Sequence, residues 1–376
     1  MNVCFILRSN SWKYAGGQRT LAANVCRVLG GTIVASTEIK PKWRRHPELQ
    51  LEAEQQASVQ LGVPVVFAET DDEVVAACID ADAVFCIGFR AKKWPTFEDC
   101  LSRIKCKKVA FILATSETMN AGAFLRSRIW DAYWSERPMI REYLRAKGKV
   151  DASKPYTVGC NVYQPSCPLT AEQLVEHKEP RLVVSNSRFA SMKRSAELLG
   201  VFDHLSRDPT LRLEAWGWKP NEGGFSFKEL VKIIPERFDA WNRIGKHLAQ
   251  GEYSADQVPG ILSPARFAID LTYMRGDGSR WGDGGLQYCQ AEAIDWGTIP
   301  VCGSEFHLGA EWSSIMHLVP ALDPKLPKLV YDIVTQRWDP AGHADMIERG
   351  REYIEKNLSF ERFNASIAEL VGSLEG

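Results

Sequence analysis

Residues 284–303 read GGLQYCQAEAIDWGTIPVCG, and the fold turns on how that stretch is parsed. Up to Asp295 the apolar residues fall at helical spacing. Gly297 then stops the helix, and IPVC (299–302) is the short apolar run that a fully buried strand requires. A helix that passes through one glycine into a buried strand is half of an α/β repeat, whose parallel strands are covered by helices on both faces. The helix carries a carboxylate, Glu292, in its middle. In such sheets ligands bind where strands end and helices begin. Glu292 therefore either accepts hydrogen bonds from the vicinal hydroxyls of a ribose or is an exposed helix position.

The same alternation continues outward. RLVVSN, LRLEAWG and RFAIDLTYM read as further strands of this half, with SAELLGVFDHLSR and FKELVKIIPERF as helices. The first half has NVCFILR, GTIVAS, VPVVFA, DAVFCIGF and KKVAFIL as strands, and TLAANVCRVL as a helix. Between the halves, PSCPLTAEQLVEHKEP around 165–180 is polar and bounded by prolines, as a linker is. From His343 the tail is helical, with apolar positions at Met346, Ile347, Tyr353 and Ile354. The expected organisation is α/β throughout: a Rossmann-like domain over 1–170, a second over 171–345, and a C-terminal helix over 346–376. No internal repeat or low-complexity tract interrupts it.

Composition narrows the class. At 376 residues the chain exceeds one ordinary core, and 45% hydrophobic with 25% charged residues is a globular balance. No apolar run approaches the roughly 18–20 residues of a membrane span, and MNVCFILRSN reads as a first strand rather than a signal peptide. The 10 cysteines form no CxxC pair and no His/Cys cluster. Cys4, Cys86 and Cys302 sit inside strand-like runs, the pattern of buried reduced thiols in a cytoplasm, not of a disulfide framework or zinc site. Charge is uneven. Residues 1–171 hold 23 Lys and Arg against 17 Asp and Glu, and 172–376 hold 23 against 30, within a net charge of −1. A basic half suggests an anionic partner, or simply a solvated surface.

Three segments carry candidate chemistry. VVSNSRFASMKRSAELL places Arg188 just after a strand and Lys193 before a helix, where fixed cations and helix N–H groups converge on a diphosphate. SNSWKYAGGQRTLAANV places Gly16 and Gly17 between strand and helix; it is not GxGxxG, but it lets a backbone approach a ligand closely. The first half also bears KPKWRRH (40–46, with Arg44 and Arg45), RAKKW (90–94, with Lys92, Lys93 and Trp94), RIKCKK (103–108) and REYLRAKGK (141–149). Cations neutralise phosphates, and interleaved tryptophans such as Trp43 and Trp94 stack on an extruded base, or else pack on the core.

Together these features resemble the retaining glycosyltransferases of the two-Rossmann-domain, B-type (GT-B) fold. In that group a GG loop faces the donor phosphates, an Arg and a Lys about five apart bind the diphosphate, and an EAxxxGTPV segment binds the ribose through its Glu. Here these are Gly16–Gly17, Arg188 with Lys193, and EAIDWGTIPV with Glu292. The resemblance implies two domains facing a cleft, the C-terminal helix packing back on the first, and a nucleotide-diphosphate sugar as co-substrate. It requires no other cofactor and no metal, since two side-chain cations already oppose the diphosphate. Typical members carry a second acid eight positions before the Glu; this chain has Gly284 there, with Asp283 adjacent. Asp283, in MRGDGSRWGDGG, is positioned to read the donor sugar.

A narrower likeness is to the phage DNA α-glucosyltransferases, which share the IPV turn, lack the earlier acid, and move glucose from UDP-glucose onto 5-hydroxymethylcytosine in duplex DNA. They carry His and Asp after the fourth strand, where this chain has ATSET (Ala114 to Thr118). The implied function is transfer of a hexose from UDP-glucose or a similar donor to a hydroxymethylated base, with retention. Arg188, Lys193 and Asp283 are then the catalytic set, and Arg44, Arg45, Lys92, Lys93 and Trp94 contact DNA. The implied setting is a host cytoplasm, with no obligate protein partner. Two alternatives remain: a carbohydrate, lipid-linked or small-molecule acceptor, and a non-catalytic nucleic-acid-binding protein of the same fold.

Overall fold

In a computed structural model of the chain, strand β1 (Val3–Arg8) is sealed on both faces. Val3, Phe5 and Leu7 enter one apolar cluster, and Cys4 and Ile6 enter another on the opposite side. Successive side chains of a strand point to opposite faces, so a strand without polar alternation needs cover on both. The structure describes residues 1–8, 17–36, 47–87, 96–112, 128–187, 194–217, 241–251, 253–272, 275–276, 279–280, 285–307, 309–336 and 338–375. Within it the chain forms two compact units, 1–162 with 358–376, and 163–357.

The first unit is a seven-stranded parallel sheet of order β3-β2-β1-β4-β5-β6-β7. Its other strands are β2 (Thr32–Ser36), β3 (Val65–Ala68), β4 (Ala83–Ile87), β5 (Lys107–Ile112), β6 (Ala132–Ser135) and β7 (Tyr156–Val158). Helices α1 (Gly17–Leu29), α2 (Pro47–Leu61), α3 (Asp71–Ala77), α4 (Phe97–Arg103) and α5 (Pro138–Ala146) connect them. One face stacks Phe5, Phe85, Phe111 and Trp134, with Phe111 and Trp134 ring centroids 4.8 Å apart. The order reverses between β1 and β4, which makes their carboxyl ends the switch point where open α/β sheets hold ligands.

The second unit is a six-stranded parallel sheet of order β10-β9-β8-β11-β14-β15. It comprises β8 (Leu182–Ser185), β9 (Arg212–Trp216), β10 (Ala249–Gly251), β11 (Phe267–Asp270), β14 (Ile299–Gly303) and β15 (His317–Val319); a two-residue ribbon, β12 (Arg275–Gly276) with β13 (Ser279–Arg280), stands apart. Its helices are α6 (Ala171–Glu176), α7 (Ser195–Leu205), α8 (Val258–Leu262), α9 (Tyr288–Asp295), α10 (Leu326–Gln336) and α11 (Pro340–Leu358). Here the order reverses between β8 and β11.

The tail differs from the single helix expected over 346–376. It is α11, then α12 (Phe360–Glu375), broken at Ser359. The Ser359 hydroxyl accepts the Arg362 N–H at 3.2 Å, an N-cap that restarts the helix. Phe363, Ile367, Leu370 and Leu374 of α12 join the core of the first unit, and the Trp134 indole N–H donates to Ser366 at 3.3 Å. The tail thus packs on the N-terminal sheet. The first unit ends at 162 rather than the expected 170, because Tyr163 and Ser166 are already tied to Asp295 of the second. All ten cysteines are thiols, most of them buried. Among the described residues no helix is long and apolar enough to cross a membrane.

Candidate functional site

The opening stretch folds as read. Gln287 caps α9 through a reciprocal box with Gln290, whose side-chain oxygen accepts the Gln287 N–H at 3.0 Å. At the other end Gly297 has φ +75 and the Thr298 N–H reaches back to the Ala293 carbonyl at 2.7 Å. That is a Schellman closure, with glycine in the left-handed position. A Cβ at Gly297 would lie 2.7 Å from Cβ of Leu174. The turn therefore needs glycine for conformation and for space, and β14 follows directly.

Glu292 is half-buried on α9, at the carboxyl-end side of β8. Asn186, the residue after β8, donates through Nδ2 to the Cys289 carbonyl at 3.0 Å and reaches Glu292 Oε2 at 3.5 Å. The Tyr253 hydroxyl lies 3.5 Å from the same oxygen and 2.7 Å from the Asn186 carbonyl, to which it donates. Both contacts to Oε2 are long, and Oε1 accepts from no described donor. Burial consequently raises the Glu292 carboxyl to about 7, and the Tyr253 and Asn186 contacts only partly offset it. A carboxylate held in place, with one oxygen uncommitted, can accept a pair of hydroxyls from a ligand.

Asp270 ends β11 and is sealed from solvent. Its Oδ2 accepts from Gln290 Nε2 at 3.0 Å and the Cys289 thiol at 3.2 Å, and its Oδ1 accepts the Thr272 N–H at 3.1 Å. Asp270 thus pins the start of α9 against the strand end. Arg194 adopts φ 49 at the start of α7 and donates to the Ala321 carbonyl at 3.1 Å and to Glu197 at 3.2 Å. Glu305, after β14, accepts the Ala321 and Leu322 N–H groups at 3.0 and 3.2 Å. Together these contacts fix the mouths of the β8–α7 and β14–β15 connections.

Of the residues singled out in the sequence, Glu292 stands at this switch point and Gly17 opens α1 after β1. Arg188, Lys193 and Asp283 lie outside the described residues, as do Gly16, Arg44, Arg45, Lys92, Lys93, Trp94 and residues 114–118. Arg188 and Lys193 belong to the connection between β8 and α7, Gly16 to that between β1 and α1, and Lys92, Lys93 and Trp94 to the one after β4. Sequence reading missed Asn186, Tyr253 and Asp270. Asn186 and Asp270 had a signal, a polar residue closing an apolar strand; Tyr253, in a loop, had none. No group of His, Cys, Asp and Glu among the described residues is arranged to hold a metal ion.

Two parallel Rossmann-like sheets, with a polar cluster at the switch point of the second and a tail packed on the first, define the GT-B glycosyltransferase fold. HepE of Anabaena, in complex with UDP-glucose, is similar over 99% of this chain and 100% of its own, with TM-score 0.70 at 13% identity. An α-glucosyltransferase in complex with UDP-glucose and DNA containing an abasic site is similar over 100% of both chains, with TM-score 0.64 at 13% identity. The sucrose-phosphate synthase of Thermosynechococcus elongatus matches over 100% of this chain and 99% of its own, with TM-score 0.64 at 14% identity. No protein-family model matches the sequence, and no curated protein matches it.

Proposed function

We propose that the chain is a retaining glycosyltransferase that moves a hexose from a UDP-sugar, UDP-glucose by preference, to a hydroxymethylated base in duplex DNA. The observation that carries the donor half is Glu292: the first acid of EAIDWGTIPV stands at the β8/β11 switch point with Oε1 uncommitted, while the second, Asp295, is taken up by Tyr163 and Ser166. It accepts the two ribose hydroxyls. Arg188 and Lys193, on the connection leaving β8, oppose the diphosphate and stabilise the charge that builds on the departing phosphate oxygen. That phosphate takes the acceptor proton, so no strong side-chain base is needed. Asp283 reads the donor sugar. HepE and the α-glucosyltransferase, similar in fold, hold UDP-glucose, which supports the choice of donor.

The acceptor half rests on the basic first half of the chain and on the α-glucosyltransferase determined with UDP and a 13-mer DNA containing an HMU base. The base leaves the stack to present its hydroxymethyl group, with Arg44, Arg45, Lys92 and Lys93 on phosphates and Trp94 against the gap. The absence of histidine from Ala114–Thr118 favours a second reading, in which the same donor chemistry serves a carbohydrate, lipid-linked or small-molecule acceptor. Mass spectrometry of duplex DNA containing 5-hydroxymethylcytosine, incubated with a panel of nucleotide sugars, decides between them. A hexose mass added to the base is expected from UDP-glucose. Donor hydrolysis with unmodified DNA throughout would leave the second reading standing.

A further inference from the structure

Arg44, Arg45, Lys92, Lys93 and Trp94 follow the carboxyl ends of their strands, whereas the basic run RIKCKK (103–108) stands at the amino end of β5. The amino ends of β4, β5 and β6 form a different feature, an open polar cavity of about 810 Å³ lined by Asp82, Lys105, Lys107, Lys108, Arg128 and Asp131, among others. β4 is five residues long, so the two edges of the sheet stand about 16 Å apart at roughly 3.3 Å per residue. The cavity's two carboxylates are already engaged. Asp82 Oδ2 accepts the Asn2 N–H at 2.6 Å, and Asp131 Oδ2 accepts the Lys108 N–H at 2.8 Å. Lys108 is held by the Cys106 carbonyl at 3.0 Å, and Arg103, on the flank, by Asp72 at 2.6 Å.

That leaves three cations. Lys105, Lys107 and Arg128 are exposed and make no hydrogen bond or ion pair with any described residue. At longer range Arg128 adds to the contacts from Ser153 and Lys154 that hold the Asp151 carboxyl below its usual range. Three cations without a hydrogen bond or ion pair to a described residue, Lys105 and Lys107 at the start of β5 and Arg128 before β6, line a polar hollow whose acids accept from backbone N–H groups, a composition suited to multiply charged oxyanions. The hollow is of ligand size, yet it lacks the apolar lining of an ordinary small-molecule pocket.

We infer that this amino-edge cavity is a second anion site, which takes phosphate groups through Lys105, Lys107 and Arg128. The site stands on its own geometry; only a nucleic-acid source for the phosphates draws on the function proposed above. Its reporter is built in, because Cys106 lies between the two lysines, lines the cavity and is half-buried.

Alkylation of Cys106, followed by peptide mass spectrometry, tests the site in the full-length protein with pyrophosphate or a 20-base-pair unmodified duplex as probe. Slower labelling by on the order of tenfold is expected with a bound probe, and loss of that protection in the triple variant K105Q/K107Q/R128Q. Protection by the duplex makes a nucleic-acid backbone the source, with a salt dependence shallower by about 0.9 in log–log slope for each contact removed in the variant. Protection by pyrophosphate alone makes the source a small phosphorylated molecule. No protection by either probe, or protection undiminished in the triple variant, overturns the inference. UDP-glucose binding, titrated in parallel, reports the donor reading separately: its loss with Cys106 protection intact would sink that reading and leave this one.

Discussion

At the scale of single residues, the surroundings of Glu292 under-satisfy it, which suits it to the ribose contact proposed above. A carboxylate with short, strong donors on both oxygens would be ionised well below neutrality but would have nothing left for a ligand. Here two contacts of 3.5 Å leave it buried enough to titrate at about 7. Its pKa is raised from 4.5, so the neutral form is the one the fold favours. The stabilising contribution is complete below 4.5 and is lost as pH rises through about 7. With Glu292 on the ribose as proposed, ligand binding would run the opposite way, because only the carboxylate accepts both hydroxyls. UDP affinity should therefore rise with pH through about 7 and then level. Isothermal titration from pH 5.5 to 8.5 reads this directly, and Glu292→Gln should flatten the profile while raising donor KM with the circular dichroism spectrum unchanged. UDP binding by the variant equal to wild type at every pH would reduce Glu292 to a helix residue.

Tyr253 extends the same argument. Its hydroxyl ties the Asn186 carbonyl to Glu292 Oε2, and it lowers the carboxyl slightly against burial. Tyr253→Phe removes one hydrogen bond of about 1 kcal/mol, so UDP should bind several-fold more weakly. A purely structural role for Tyr253 predicts that loss and nothing more. A positioning role also predicts that the pH midpoint of UDP binding moves upward, since the carboxylate loses a donor. A midpoint that stays put removes Tyr253 from the site.

At the scale of elements, the decisive unit is α9, its glycine turn and β14, locked from beneath. Lys178 is buried under the turn, with Nζ donating to the carbonyls of Ser263 at 2.7 Å, Trp296 at 3.2 Å and Leu262 at 3.4 Å. Burial lowers its pKa from 10.5 to about 7. The associated stability is present above 10.5 and falls away as pH drops through about 7, where the buried ammonium must form. His343 Nε2 sits 3.1 Å from the Gly297 carbonyl, and Arg351 donates to the Asp295 carbonyl at 2.5 Å. Gly297→Ala meets both a left-handed backbone and the Leu174 side chain, and it should cost roughly 2–4 kcal/mol in urea unfolding. A cost under about 0.5 kcal/mol, the surface norm, would mean that the turn is not under this constraint. Lys178→Met should flatten the alkaline limb of the stability profile.

These elements also mark what was legible. The helix, its stop and the buried strand could be read because glycine and an apolar run are local signals, and both sheets followed from the same alternation. β6, β7, β10 and β15 were not recovered from pattern, since each has only three or four residues and β10 reads AQG. At the site, Glu292 was found through its spacing to a glycine. The Asn186, Tyr253 and Asp270 contacts depend on the order β9-β8-β11-β14, which brings residues about a hundred positions apart to one strand end. No local pattern encodes that juxtaposition.

At the scale of the whole molecule, the chain leaves its first unit at 162 and returns to it at 358. The return has an energetic reason. The β6–β7 side of the first sheet carries Trp134 stacked on Phe111, and α12 supplies Phe363, Ile367, Leu370 and Leu374 to cover it. Gly159 completes the fit, because a Cβ there would lie 2.4 Å from the Trp134 ring and 2.6 Å from Ser366 Oγ. Four buried apolar side chains at roughly 1.5–3 kcal/mol each are together comparable with the 5–15 kcal/mol margin of many domains, and their removal leaves an apolar face open to water. Truncation after Asn357 should therefore destabilise the first unit selectively. Two observations check this. Tryptophan emission, to which Trp134 contributes, should shift to the red with a lowered melting temperature, while UDP binding, proposed for the second unit, should survive within a few-fold. Equal losses in both readouts would show that the two units unfold as one, and the tail would then be a strut for the whole chain rather than a cover for one sheet.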